Sequence, residues 1–114
     1  MRGKSLGKSS PSATLGVADI VLSWAARTDL VEIGEYGEAQ FGTVAADAYQ
    51  ADIERAFERL AQHPRSGEAK SAWGSGVRCL VCNRHRIVYR VSRDTVKIFR
   101  ILHHSRDVSK HLAQ

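Results

Sequence analysis

The chain reads as an α+β domain, with an antiparallel sheet packed against an N-terminal two-helix hairpin in the order β-α-α-β-β-β-(α). Three observations predict this. Residues 24–63 carry apolar side chains at helical spacing, interrupted only at Gly42-Thr43. Residues 77–102 switch to short alternating runs separated by turn residues. At 114 residues, one core suffices, and no disulfide or metal is needed to hold it.

Residues 1–16 (MRGKSLGKSSPSATLG) are rich in Ser, Gly and Lys and offer almost nothing to bury. They are expected to be a disordered basic tail, leaving 17–114 as the folded domain. Within the tail, Gly3-Lys4-Ser5-Leu6-Gly7-Lys8-Ser9 imitates a phosphate loop, but its first glycine stands one residue too close to Gly-Lys-Ser and no strand precedes it. Asp19 interrupts the only apolar region near the N-terminus, so no signal peptide is expected. No uncharged apolar run approaches the roughly 20 residues needed to span a bilayer. The expected compartment is the reducing cytoplasm.

Val17 to Leu22 is short, β-branched and apolar, and forms the first strand. Ser23 caps a helix from Trp24 to about Gln40, with Ala26, Leu30, Ile33, Gly37 and Phe41 on one face and Asp29, Glu32, Glu35 and Glu38 on the other. Gly42 ends it and Thr43 caps a second helix, whose Ala45, Tyr49, Ile53, Ala56, Phe57 and Leu60 share a face until Pro64 stops it. So short a connection makes the pair an αα-hairpin. After a polar loop containing Gly67, Trp73, Gly74 and Gly76, Val77 to Val81 is a strand and Asn83 a turn. The hairpin 84–91 and 96–102 turns at Ser92-Arg93-Asp94. Alternation places Arg84, Arg86 and Arg90 on one face and Ile87, Tyr89 and Val91 on the other. In the last strand it places Val96, Ile98 and Leu102 opposite Phe99 and Ile101, so that strand is central. Asp107 to Leu112 forms a short terminal helix with Ser105 as its candidate cap.

Charge is divided along the chain. Residues 17–63 hold three arginines against nine acids, a net −6, whereas residues 64–114 hold eleven Lys/Arg against three acids, a net +8. Eight of those eleven are arginines, which suit forked contact with carboxylate or phosphate, so the C-terminal half is expected to present an anion-binding interface. Cys79 and Cys82 with His85 resemble metal spacing. Residues three apart on a strand face opposite ways, however, and no second pair completes a tetrahedron, so no metal or cofactor is expected. His103, His104, Ser105 and Asp107 are the residue types of a hydrolase triad, but neighbours in sequence do not meet in that geometry.

Several motifs then agree in order with one family. Leu22-Ser23, Ala26, Asp29-Leu30, Ile33 and Tyr36 resemble its opening "L-S-x-x-A-x-x-D-L-x-x-I-x-x-Y". Tyr49, Phe57-Glu58-Arg59-Leu60 and His63-Pro64-Arg65-Ser66-Gly67 resemble its second helix and "P-R-x-G" turn. Gly76-Val77-Arg78, the run His85 to Val91, and Ile101-Leu102-His103-His104-Ser105-Arg106-Asp107 resemble its strands and C-terminal signature. The chain is thus similar, over about residues 17–112, to the ParE branch of the RelE/ParE toxins of bacterial type II toxin–antitoxin systems. The tail and the two cysteines depart from the pattern.

The resemblance implies a helix hairpin on an antiparallel sheet and a growth-arresting toxin held inactive by a cognate ParD-like antitoxin. ParE members poison DNA gyrase by binding it. RelE members cut ribosome-bound mRNA without a metal, and here Arg78, Arg84, His85, Tyr89, His103 and Arg106 would have to supply the cations and acid–base groups. Because Tyr89 alternates with core residues and the Leu-His-His-Ser-Arg-Asp ending looks like the gyrase-directed branch, the expected function is gyrase poisoning. The expected target surface is His103, His104, Arg106 and Asp107. The antitoxin is expected to cover Trp24, Phe41 and Tyr49 and to pair acids with Arg78 and Arg90.

Overall fold

The computed structural model describes residues 17–112; the predicted tail, 1–16, lies outside them. The chain runs β1 (Asp19–Leu22), α1 (Trp24–Phe41), α2 (Thr43–Gln62), β2 (Glu68–Ala69), a 3₁₀ turn (Ser71–Trp73), β3 (Arg78–Cys82), β4 (His85–Ser92), β5 (Thr95–His103) and α3 (Val108–Leu112). One five-stranded sheet has the order β1-β5-β4-β3-β2. The predicted meander β3-β4-β5 is antiparallel. β1 pairs parallel with β5 from Asp19↔Thr95 to Leu22↔Ile98, so one edge of the sheet is parallel and β5 is central. The two-residue strand β2, absent from the sequence reading, pairs with β3.

Ser23 fixes the entry into α1. Its hydroxyl oxygen accepts the Ala26 N–H at 3.0 Å and its own proton goes to the Phe99 carbonyl at 2.7 Å, tying the helix start to β5. At the hairpin apex Gly42 both ends α1 and caps α2, at φ 88°, a conformation that glycine adopts without steric cost. Thr43 is therefore not the cap. It is the first helical residue, and its hydroxyl bonds Glu38 at 3.2 Å.

The helices cover one sheet face with a core of Ala26, Ile53, Leu60, Ile87, Tyr89, Val96, Ile98 and Ile101, with Leu30, Ile33, Tyr49 and Phe57 packed against it. Three helical assignments are corrected. Asp29 is buried, Phe41 is exposed, and Ala45 is exposed while Ala46 meets Gly37. Phe41 is the last residue of α1 and packs edge-on against Tyr36 instead.

A β-bulge changes the faces of β5. Val88 pairs Arg100 but Tyr89 pairs Ile98, so Phe99 is an extra residue and the alternation shifts by one beyond it. Ile101, not Leu102, therefore joins Val96 and Ile98 in the helix-side core. Leu102 goes to the opposite face, where Val77, Val88 and Val108 form a second cluster flanked by Trp73 and Leu112 of the terminal helix. The arginine face of β4 is consequently broken by Val88, wholly buried beneath α3. Asp107, rather than Ser105, caps α3, since its Oδ1 accepts the Ser109 N–H at 3.1 Å.

Candidate functional site

The arginines divide into those held internally and those left open. Arg100 gives two bonds to the Asp29 carboxylate, Nε to Oδ2 at 2.8 Å and Nη2 to Oδ1 at 2.9 Å, and Oδ2 also accepts the Ile101 N–H at 2.8 Å. That bond to Asp29 holds the Arg100 guanidinium above its ordinary pKa. Arg78 donates to the carbonyls of Gly67 (2.7 Å) and Arg65 (3.2 Å), and Arg90 to the carbonyl of Ser75 (2.9 Å) while lying over the Phe99 ring. These three fasten the loop and helix to the sheet.

Tyr89 is wholly buried, and its hydroxyl accepts the Gly67 N–H at 2.9 Å. Burial raises its pKa above the ordinary phenol value. A Cβ on Gly67 would come within 2.6 Å of this hydroxyl, so the close approach requires glycine there. Of the six residues that a ribonuclease would need, Arg78 and Tyr89 are thus fixed around the Gly67 turn, while Arg84, His85, His103 and Arg106 gather at the end of the sheet.

That end is built by the β3–β4 turn and the last residues of β5. Asn83 takes the left-handed φ of 55° that closes the turn, and its amide bonds Asp52 of α2 at 2.8 Å. His85 pairs with His103 in the strand register, and the His104 N–H donates to the Arg84 carbonyl at 2.8 Å. Four rings follow one another from inside to outside. Tyr49 lies edge-on to His85 at 5.5 Å, His85 edge-on to His103 at 5.4 Å, and His103 tilts against exposed His104 at 4.4 Å.

The Tyr49 hydroxyl is hydrogen-bonded to His85 Nδ1 and accepts the Arg84 N–H at 3.2 Å. Burial, reinforced by the charge of His103, pushes His85 down to about 4, so it is neutral at physiological pH. His103 is also lowered, by partial burial and then by His104, Arg84 and Arg106. Its Nδ1 accepts the Ser105 N–H at 3.2 Å, which places the proton on Nε2. Arg106 and Asp107 are exposed; Arg106 Nη1 meets His111 Nε2 at 3.4 Å.

On the helix hairpin, Trp24 is 84% and Phe41 68% exposed, whereas Tyr49 is half-buried. An acidic groove of about 420 Å³ runs between the helices, floored by Leu30, Gly34 and Ala46 and edged by Glu35, Glu38 and Asp47. Cys82 belongs to the helix-side core. Cys79 pairs with Val88 of the opposite cluster, so the two thiols face different ways, as the strand spacing predicts. Sequence reasoning missed the Asp29–Arg100 pair and the Tyr49–His85 contact. The first had a signal, for Asp29 stands three residues after Ala26 and four before Ile33, on the apolar side of the helix.

A two-helix hairpin thus lies across one face of this sheet and a short terminal helix on the other, and this fold recurs in known proteins. Among solved structures, a chain of the chromosomal ParDE toxin–antitoxin system from P. aeruginosa shares it with a TM-score of 0.66 at 22% identity, covering 76% of this chain and 96% of that one. A chain of the RelBE2 toxin–antitoxin complex from Mycobacterium tuberculosis does so with a TM-score of 0.54 at 24% identity, covering 76% and 98%. Residues 20–108 match the family of the ParE toxin of type II toxin–antitoxin systems. Toxin ParE1 of Caulobacter vibrioides is 33% identical over 91 residues, 80% of this chain and 94% of its own length. Toxin ParE1 of M. tuberculosis is 33% identical over 93 residues, 81% and 95%. The chain therefore belongs to the ParE family of type II toxins.

Proposed function

We propose that the protein is a stoichiometric poison of DNA gyrase, silenced by a ParD-like antitoxin, and that it acts by binding rather than by catalysis. The observation that carries this reading is the position of Tyr89 and Arg78. Both are committed to the Gly67 turn, so the set of acid–base and cationic groups that a metal-free ribonuclease must converge on one phosphate is divided between two places. What remains at the sheet end is a polar surface of half-buried His103 and exposed His104, Arg106 and Asp107, held in position by a central strand. This is the target-binding surface. The antitoxin covers Trp24, Phe41 and Tyr49 and pairs acidic residues with the remaining donors of Arg78 and Arg90. Two fold neighbours come from toxin–antitoxin complexes, which supports such a partner.

The test is a supercoiling assay with purified gyrase. The wild-type chain should inhibit supercoiling and accumulate cleaved DNA–gyrase complexes, with mRNA left intact in a translating extract. Arg106→Ala should lose growth arrest while folding and binding antitoxin nearly as before. Ile53→Ala, which opens a wholly buried core position, should cost about 2–5 kcal/mol and lose all functions together. Rapid mRNA cleavage with gyrase unaffected would replace this reading with that of a ribonuclease.

A further inference from the structure

The sheet end carries more organisation than a solvated basic face requires. The Arg84 guanidinium and the His104 imidazole have no hydrogen-bond or ion-pair partner among the described residues, and Arg106 has only the long contact with His111. Asp107 is the one carboxylate between residues 95 and 112, and its Oδ1 accepts both the N–H and the hydroxyl of Ser109, so α3 engages it. Near these unpaired donors the rings form a row, edge-on from Tyr49 to His85 to His103 and tilted from His103 to His104. His103 is held by Ser105 and backed by His85, which Tyr49 anchors from α2, and only His104, outermost, is exposed.

Exposed cations beside an accessible ring face are the two components that hold an unpaired nucleic-acid strand, one taking the phosphates and the other a base. An acidic peptide would use the cations and leave the ring stack without a role. We propose that this end of the sheet binds single-stranded nucleic acid, with a base stacked on His104 and the flanking phosphates taken by Arg84 and Arg106. The inference deepens the proposed function, on which its physiological setting rests, because it makes this surface the toxin's own grip on the DNA that gyrase holds open.

The experiment is fluorescence anisotropy of a labelled twelve-nucleotide oligothymidylate with the full-length protein and no gyrase. Binding should be saturable and weaken as salt rises, and Arg84→Ala with Arg106→Ala should flatten that salt dependence. His104→Ala should weaken binding by about fivefold or more, and His104→Phe should restore it, which separates stacking from charge. Equal affinity for the oligonucleotide in wild type and His104→Ala, or competition by polyglutamate as strong as by unlabelled strand, overturns the proposal. Gyrase poisoning by a protein that binds no strand would defeat this inference alone; strand binding without poisoning would defeat only the proposed function.

Discussion

Asp29 stands between Ala26, Leu30 and Ile33 on α1, and its carboxylate holds Arg100 and the Ile101 N–H beside the bulge of β5. Removing one partner of such a pair leaves a poorly solvated charge, so the loss exceeds what the pair itself contributes. Asp29→Ala should lower stability by about 3 kcal/mol in urea unfolding. Arg55→Ala, which breaks the exposed pair with Asp52 and leaves the bond between Asp52 and Asn83 in place, should cost less than about 1 kcal/mol. His85 adds a pH dependence. Its folded pKa, about 4, lies below the ordinary 6.5, so the unfolded chain binds the proton first. The contribution is complete above pH 6.5 and is lost as pH falls toward 4. Since the ring is only half-buried, and the charge of Asp29 opposes those of His103 and His104, the loss should be about 1–2 kcal/mol. Thermal melts between pH 7 and 4.5 should show the decline in wild type and a flatter profile in His85→Gln; equal profiles would remove His85 as the cause.

Between elements, turns and the bulge decide which side chains meet. Both tight hairpins place a non-glycine residue at φ 55°, Asn83 before β4 and Arg93 before β5. Asparagine tolerates the left-handed region because its short polar side chain bonds locally, whereas arginine adopts it at a steric cost. Arg93→Asn should therefore raise stability by about 0.5–1 kcal/mol, read as a higher denaturation midpoint with an unchanged slope. The bulge at Phe99 has the larger consequence. By inserting one residue between the partners of Val88 and Tyr89 it turns Ile101, rather than Leu102, toward the helices and Leu102 toward α3. The Ser23 hydroxyl bonds the carbonyl of that same inserted residue, so the start of α1 and the bulge hold one another in place.

For the whole molecule, the acidic helix hairpin and the basic sheet end lie in different parts of the fold, and internal pairing removes Arg100 but leaves Arg84, Arg86 and Arg106 free of ion pairs among the described residues. A field so divided governs encounter more than final affinity. If the antitoxin lays acidic residues across the basic surface, stopped-flow association should slow severalfold when salt is raised from about 0.05 to 0.5 M. If the antitoxin also covers exposed Trp24 and Phe41, as proposed, dissociation should change much less. An association rate indifferent to salt would mean that apolar contact alone guides the complex. Among the described residues, no helix is long and apolar enough to cross a membrane.

Periodicity alone determined the helix hairpin, the β3-β4-β5 meander, the centrality of β5 and the burial of Ile53, Leu60, Ile87 and Tyr89, because repeats of 3.6 and 2 report directly which side of an element meets the core. The ordered motifs from Leu22 to Asp107 likewise carried the family, which does not depend on geometry. Tertiary structure decided what no local pattern contains. The parallel pairing of β1, the burial of Asp29 opposite Arg100, and the gathering of Tyr49, His85, His103 and His104 all join residues far apart in the chain. The bulge was hidden for a related reason. An extra residue is invisible while both faces of a strand are apolar, and only the register against β4 shows where the alternation resets.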